Sequence, residues 1–315
     1  MRTILRRRVF GATLMALVLA VAACGGGSGE DTTTTTAGDS GPVDGPAITV
    51  ASFNFPESVI LAEIYAQALE ANGYQVERNL NLGSRELIFP EIQSGNIDFL
   101  PEYLGSAITV GFSEDAPTNQ DEAVQKLTDL FAADGVTVLE PAPGQDKNVF
   151  VVTGDFASAN SVSTVSDLAG AGDITLGGPP ECEDRETCYK GLVDTYGLDN
   201  LSFEAIQEGS ARVAALESGE IDVSLLFSTQ PVISEKGFVA LEGTDEIIAP
   251  ESIIPVVSNE VADAYGSDFA TLINSISALI TTDALLDLNG RVEVQAQNPD
   301  DVATAWLQEN GFLDS

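Results

Sequence analysis

From Ala47 onward, short apolar and β-branched runs alternate with stretches of helical periodicity. Ile48 to Ala51 has the composition of a strand. Glu57 to Asn72 then places Leu61, Ile64, Tyr65, Ala68 and Leu69 on one helical face and stops at Gly73. Further strands are predicted at Gln75 to Leu80, Ile97 to Leu100 and Val136 to Leu139, with a helix over Asp121 to Ala133. The pattern restarts at Val149 to Val152 and continues through Ile174 to Leu176, Leu201 to Ala205, Ile221 to Phe227 and Phe238 to Leu241. Helices close the chain over Asp268 to Thr282 and Asp300 to Gly311. Alternation of this kind predicts an α/β protein whose sheets are mostly parallel and flanked by helices.

One pattern occurs twice. Gly83-Ser84, an apolar stretch and Ser94-Gly95-Asn96-Ile97-Asp98 lead to Tyr103; Gly209-Ser210, an apolar stretch and Ser218-Gly219-Glu220-Ile221-Asp222 lead to Phe227. Ser caps the free N–H groups of a helix start and Gly takes the left-handed conformation that ends one, so both copies read as loop, helix, stop and buried strand. Pro90 lies inside the first of these helices, which predicts that it starts near Phe89 or bends at the proline. The folded part exceeds one comfortable core. Two similar lobes with a ligand between them follow, with residues 47–147 as the first lobe, 148–250 as the second and 251–315 returning to the first.

The N-terminus has a different character. Arg2, Arg6, Arg7 and Arg8 precede an apolar run from Val9 to Ala23, too short to span a bilayer comfortably and flanked like a secretory signal. It ends Val21-Ala22-Ala23-Cys24, which resembles a bacterial lipobox with residues 1–23 as the signal and Cys24 as the acylated first mature residue. Residues 24–46 are Gly, Ser, Thr, Asp and Pro with almost no large apolar side chain, the composition of a tether.

Charge and chemistry narrow the function. With 49 acidic and 13 basic residues the formal charge is −36, which makes nucleic acid and anionic headgroups poor partners. The chain has no His, which removes the commonest general base, the Ser-His and Cys-His dyads and the usual zinc sites. No nucleophile with a base beside it is visible, and neither a metal nor a cofactor is implied. Beyond Cys24 only Cys182 and Cys188 remain; in an exported chain a close pair reads as a local disulfide, one that would hold Arg185 in place.

Val50-Ala51-Ser52-Phe53-Asn54-Phe55-Pro56-Glu57-Ser58, Leu82-Gly83-Ser84-Arg85-Glu86, Gly95-Asn96-Ile97-Asp98 and above all Pro101-Glu102-Tyr103-Leu104-Gly105-Ser106 resemble the substrate-binding lipoproteins of quaternary-amine ABC importers, which capture glycine betaine, choline or carnitine. Gly177-Gly178-Pro179-Pro180-Glu181-Cys182 with Arg185 and Ala303 to Gly311 extend the likeness. The resemblance implies a two-lobed periplasmic-binding-protein fold of type II. It also implies an aromatic cage for the methylated ammonium, and a permease and its ATPase as partners at the outer face of the cell membrane. A methylated ammonium has no N–H to donate, so ring faces and apolar contact must recognise it.

Carried over one position at a time, Tyr103 matches a cage tyrosine. Ser106 matches a hydroxyl residue that, with Arg185, holds a ligand carboxylate. Asp146 matches an acidic residue of the crossover. Three departures stand out: Phe53 replaces a lysine that some relatives use for the carboxylate, Asn148 replaces a cage tyrosine, and Phe227 replaces another. The loss of that lysine favours choline or another amine without a carboxylate. Each residue also has a plain alternative. Phe53, Phe55 and Phe227 at strand ends are either cage or core, Arg185 is either a ligand contact or a surface partner of Glu183 or Glu186, and Trp306 reads as a core plug. Closure would occur by hinge motion near Gln145 to Asn148 and Pro250 to Pro255.

Overall fold

A computed structural model describes residues 42–207 and 209–314. The leader and Cys24 lie outside the described residues. The strands in chain order are β1 (Ile48–Ala51), β2 (Val76–Asn79), β3 (Phe99–Tyr103), β4 (Val136–Val138), β5 (Asn148–Val152), β6 (Ile174–Gly178), β7 (Leu201–Ala205), β8 (Val223–Phe227), β9 (Val239–Ala240) and β10 (Ile253–Ser258). They form two sheets of five, in the orders β2-β1-β3-β10-β4 and β7-β6-β8-β5-β9. The two orders superpose element for element, each with one strand contributed after a crossover from the other lobe.

The sheets are mixed but mostly parallel, as the alternation predicts: four strands of each run the same way and one runs against them. β2, β1 and β3 run parallel, as do β7, β6 and β8, but β10 is antiparallel to β3 and β4, and β5 is antiparallel to β8 and β9. The reason lies in the crossovers. β1, β3, β6 and β8 run toward the cleft, whereas β5 and β10 begin there, having just crossed it, and must run away. Hydropathy carries no strand direction.

The repeated sequence pattern is a repeated physical device. Helix α1 (Pro56–Ala71) follows β1, and helix α2 (Arg85–Gln93) ends at Gly95, whose φ of 74° is matched by Gly219 after the helix Gly209–Ser218. Three residues later in each copy an Asp clasps the neighbouring strand in both directions. The Thr49 N–H donates to Asp98 Oδ2 at 2.9 Å and the Asp98 N–H to the Thr49 carbonyl at 3.0 Å; Thr175 and Asp222 repeat this at 2.9 and 3.0 Å. Pro90 lies within α2, which runs from Arg85 rather than starting near Phe89. The helix expected from Asp268 is the second half of Asn259–Ser277, broken at Gly266 with φ 64°.

Each lobe has its own apolar core. Trp306 is buried in the first, on the helix Pro299–Glu309, which packs against α1 and bonds it through Thr304 Oγ1 to Gln67 Oε1 at 2.7 Å. In the second lobe Cys182 and Cys188 are joined as a disulfide and buried in the core. The two crossovers lie side by side: Gln145 bridges Ser252 antiparallel, and the Asp146 N–H donates to the Glu251 carbonyl at 3.0 Å.

Candidate ligand-binding site

β1, β3, β6 and β8 all deliver their C-terminal ends to one place, which is where ligands sit in open α/β sheets. Loop 52–54 after β1 is pinned by the loop before α2. The Leu82 N–H donates to the Ser52 carbonyl, the Asn81 N–H to Ser52 Oγ at 2.7 Å and the Asn54 N–H to the Gly83 carbonyl, while the Phe53 N–H donates to Ser58 Oγ at 2.9 Å. That fixes Phe53 and Phe55 before α1 begins at Pro56.

All seven residues anticipated from the sequence, Phe53, Tyr103, Ser106, Asp146, Asn148, Arg185 and Phe227, line a single cavity of about 70 Å³ between the lobes. A larger space of about 810 Å³ adjoins it, with Asn54, Phe55, Asp146, Pro179, Glu181 and Phe227 lining both. Four rings border the smaller cavity. Phe53 and Phe55 lie parallel, 5.9 Å between centroids; Tyr103 is 6.5 Å from Phe53 and 5.8 Å from Phe55; Phe227 of the other lobe faces Phe55 at 5.5 Å. The Arg85 guanidinium lies over the Phe53 ring, 4.8 Å from its centroid.

Charge surrounds the rings. Arg85 donates from Nε and Nη2 to the two carboxylate oxygens of Glu102 at 2.8 and 2.9 Å, a buried bidentate pair. Glu57, on the first turn of α1, accepts from Tyr103 Oη at 2.9 Å, Thr229 Oγ1 at 2.6 Å and Asn289 Nδ2 at 2.7 Å. Asp146 accepts from the Thr229 N–H at 3.1 Å and Ser228 Oγ at 3.2 Å. Burial raises the pKa of both carboxyls, and for Asp146 the Glu57 charge adds to it. Burial, with the Glu57 charge, likewise keeps the Tyr103 phenol protonated.

The remaining polar positions are tied to the protein itself. Ser106 donates from Oγ and N to Glu251 at 2.7 and 3.1 Å, and Asn148 Nδ2 donates to the Thr187 carbonyl at 3.2 Å. Arg185 pairs neither with Glu183 nor with Glu186. It reaches across the cleft to Glu86 on α2, donating from Nε and Nη2 at 2.9 and 3.0 Å, with Glu181 at 4.0 Å. Burial would push Glu86 up, but the guanidinium outweighs it and lowers its pKa to about 2.

Residues 46–309 match the family described as the substrate-binding domain of the ABC-type glycine betaine transport system. The chain belongs to this OpuAC family. It is 26% identical over 286 residues to a glycine-betaine-binding protein of Pseudomonas aeruginosa, covering 87% of this chain and 91% of that one. It is 24% identical over 272 residues to a carnitine transport binding protein of Listeria monocytogenes, covering 85% and 88%. Among solved structures, a glycine betaine/carnitine/choline ABC transporter protein aligns with a TM-score of 0.68 at 23% identity, covering 85% of this chain and 100% of that one. A choline-binding protein in complex with choline aligns at 0.63 and 16%, covering 84% and 89%. The fold is therefore the two-lobed binding-protein fold of type II.

Within this OpuAC chain, the sequence reading missed the polar floor: Glu57, Arg85, Glu102, Thr229, Glu251 and Asn289. Glu57, Arg85 and Glu102 stood inside the motifs that resemble the family, and Glu102 carried a signal, since a Glu at the end of an apolar strand run needs a buried partner. Thr229 and Asn289 carried none; they meet Glu57 from 172 and 232 residues away.

Proposed function

We propose that this protein is the extracytoplasmic solute-binding component of an ABC importer. It captures a quaternary amine in the ring-lined cavity between its lobes and hands it to a membrane permease driven by an ATPase. Cys24 carries the acyl anchor that keeps it at the outer face of the cell membrane. Its role is binding, with no bond made or broken.

The observation that carries this reading is the box of Phe53, Phe55, Tyr103 and Phe227, built from both lobes at strand ends and backed by the carboxyls of Glu57 and Asp146. A methylated ammonium presents only apolar, positively polarised C–H groups. Ring faces attract it by roughly 0.5–2 kcal/mol each, and acidic groups behind them supply the long-range field.

The test is a thermal-shift panel of glycine betaine, choline, carnitine and ordinary amino acids. A rise confined to quaternary amines supports the reading, since ligand at ~100 times its dissociation constant stabilises by about 2.7 kcal/mol. A rise with amino acids and none with quaternary amines would overturn it.

A further inference from the structure

Glu251 lies on the returning crossover and is 4% exposed. Its carboxylate accepts both donors of Ser106, from Oγ at 2.7 Å and from N at 3.1 Å. The approach is possible because residue 105 is glycine: a Cβ there would sit 2.8 Å from Ala249 Cβ, 2.9 Å from the Pro250 carbonyl oxygen and 3.1 Å from Glu251 Oε1. The hydroxyl expected to receive a ligand carboxylate thus already holds one belonging to the protein. The other candidate donors at the cavity are committed in the same way, Arg85 to Glu102, Arg185 to Glu86 and Asn148 Nδ2 to Thr187.

Building on the quaternary-amine reading, we propose that Glu251 is the specificity-determining residue of this site. It fixes a carboxylate where a zwitterion's own carboxylate would dock, so that the cavity selects choline-type cations with a neutral, hydrogen-bonding tail over betaines. A hydroxyl can donate to Glu251, whereas a second carboxylate meets like charge in a place shielded from water.

The ionisation of Glu251 makes the preference pH-dependent. Burial raises its pKa to about 7 against the bonds from Ser106 and the charge of Arg85. Arg85 from α2 and Glu102 from β3 act on it most strongly, Arg185 and Glu181 of the second lobe line the same cavity, and Asp146 of the other crossover adjoins it through the backbone. Below that value Glu251 is protonated and can donate to a ligand carboxylate; above it the anion repels one. The Glu57–Asp146 pair acts on the ammonium head that choline and betaine share, so it cancels from the ratio of their affinities.

Calorimetric titration of the full chain with choline and with glycine betaine, at about pH 6 and about pH 8, tests this. The wild type is expected to bind choline at least roughly tenfold more tightly at the higher pH, with the ratio shrinking at the lower one. Glu251→Gln keeps the shape, removes the charge and adds an N–H, and is expected to bring the ratio to near unity at both. Equal affinities in the wild type at the higher pH, or a ratio unaffected by both pH and substitution, would overturn the role of Glu251 while leaving the quaternary-amine reading in place. Binding of neither ligand would overturn that reading and this proposal with it. Should the variant fold poorly, the wild-type pH series decides alone.

Discussion

In the first lobe β3 ends in Glu102-Tyr103, with Arg85 and Glu251 packed against it; in the second β8 ends in Leu226-Phe227, and the helix that matches α2 instead turns Arg212 onto backbone carbonyls of residues 206, 207 and 225. The helix stops, the Asp clasps and the sheet orders are the same in both. A common frame therefore carries two different strand ends, one charged and internally paired, the other an apolar face. On the proposed function this would divide the labour: the first lobe's charged strand end would discriminate among ligands, and Phe227 of the second would complete the enclosure.

The largest effect that would sharpen this contrast comes from Arg85→Ala. It strands Glu102 as an unpaired buried charge and is expected to cost about 3–5 kcal/mol in chemical denaturation; a loss below 1 kcal/mol would mean the first lobe's charged end is not structurally demanding. Next comes Tyr103→Ala, which should abolish ligand-induced thermal stabilisation, worth about 2.7 kcal/mol at ~100-fold excess over the dissociation constant. Collapse of the ligand-free fold instead would make Tyr103 core.

The clasps test the shared frame. Asp98→Ala and Asp222→Ala should each cost about 1–3 kcal/mol, with Asp98 the more costly because it also accepts from Ser258 Oγ at 3.0 Å. A neutral result at either site would break the equivalence of the lobes.

The smallest expected change is Asp146→Asn, which replaces the buried Asp146 carboxyl, whose pKa burial and the Glu57 charge raise, by a neutral amide. Because both carboxyls have raised pKa values in the folded state, the native protein holds more protons than the unfolded chain above the ordinary carboxylate range. Their contribution is therefore full in acid and is lost as pH rises through the folded pKa. Melting followed from about pH 4 to pH 8 should show the variant gaining a few degrees only at the upper end; a gain of equal size at both ends would point to packing rather than ionisation.

What could be read from the chain divides along the same line. The frame was legible because its parts are local: Gly95 and Gly219 need positive φ, and Asp98 and Asp222 follow at fixed spacing. The aromatic positions were legible through their place at strand ends. Strand direction was not, since β5 and β10 have the same hydropathy whichever way they run. Nor was the commitment of Ser106 and Arg185, because Glu251 and Glu86 are 145 and 99 residues distant and nothing in a linear pattern pairs them. Residues that bond across a long separation in sequence are the ones a one-dimensional reading leaves alone.

The paired crossovers have a mechanical consequence. Asp146 and Glu251 ride on the two connecting segments themselves, joined by the hydrogen bond from the Asp146 N–H to the Glu251 carbonyl. On the proposed function a solute held against them would sit close to the pivot, where a small change in contact geometry is a small displacement, while the far rims of the lobes would stand at the ends of long arms. The fold would then work as a lever with its load at the fulcrum, turning sub-ångström adjustments around a few methyl groups into a change of outline large enough for another protein to feel.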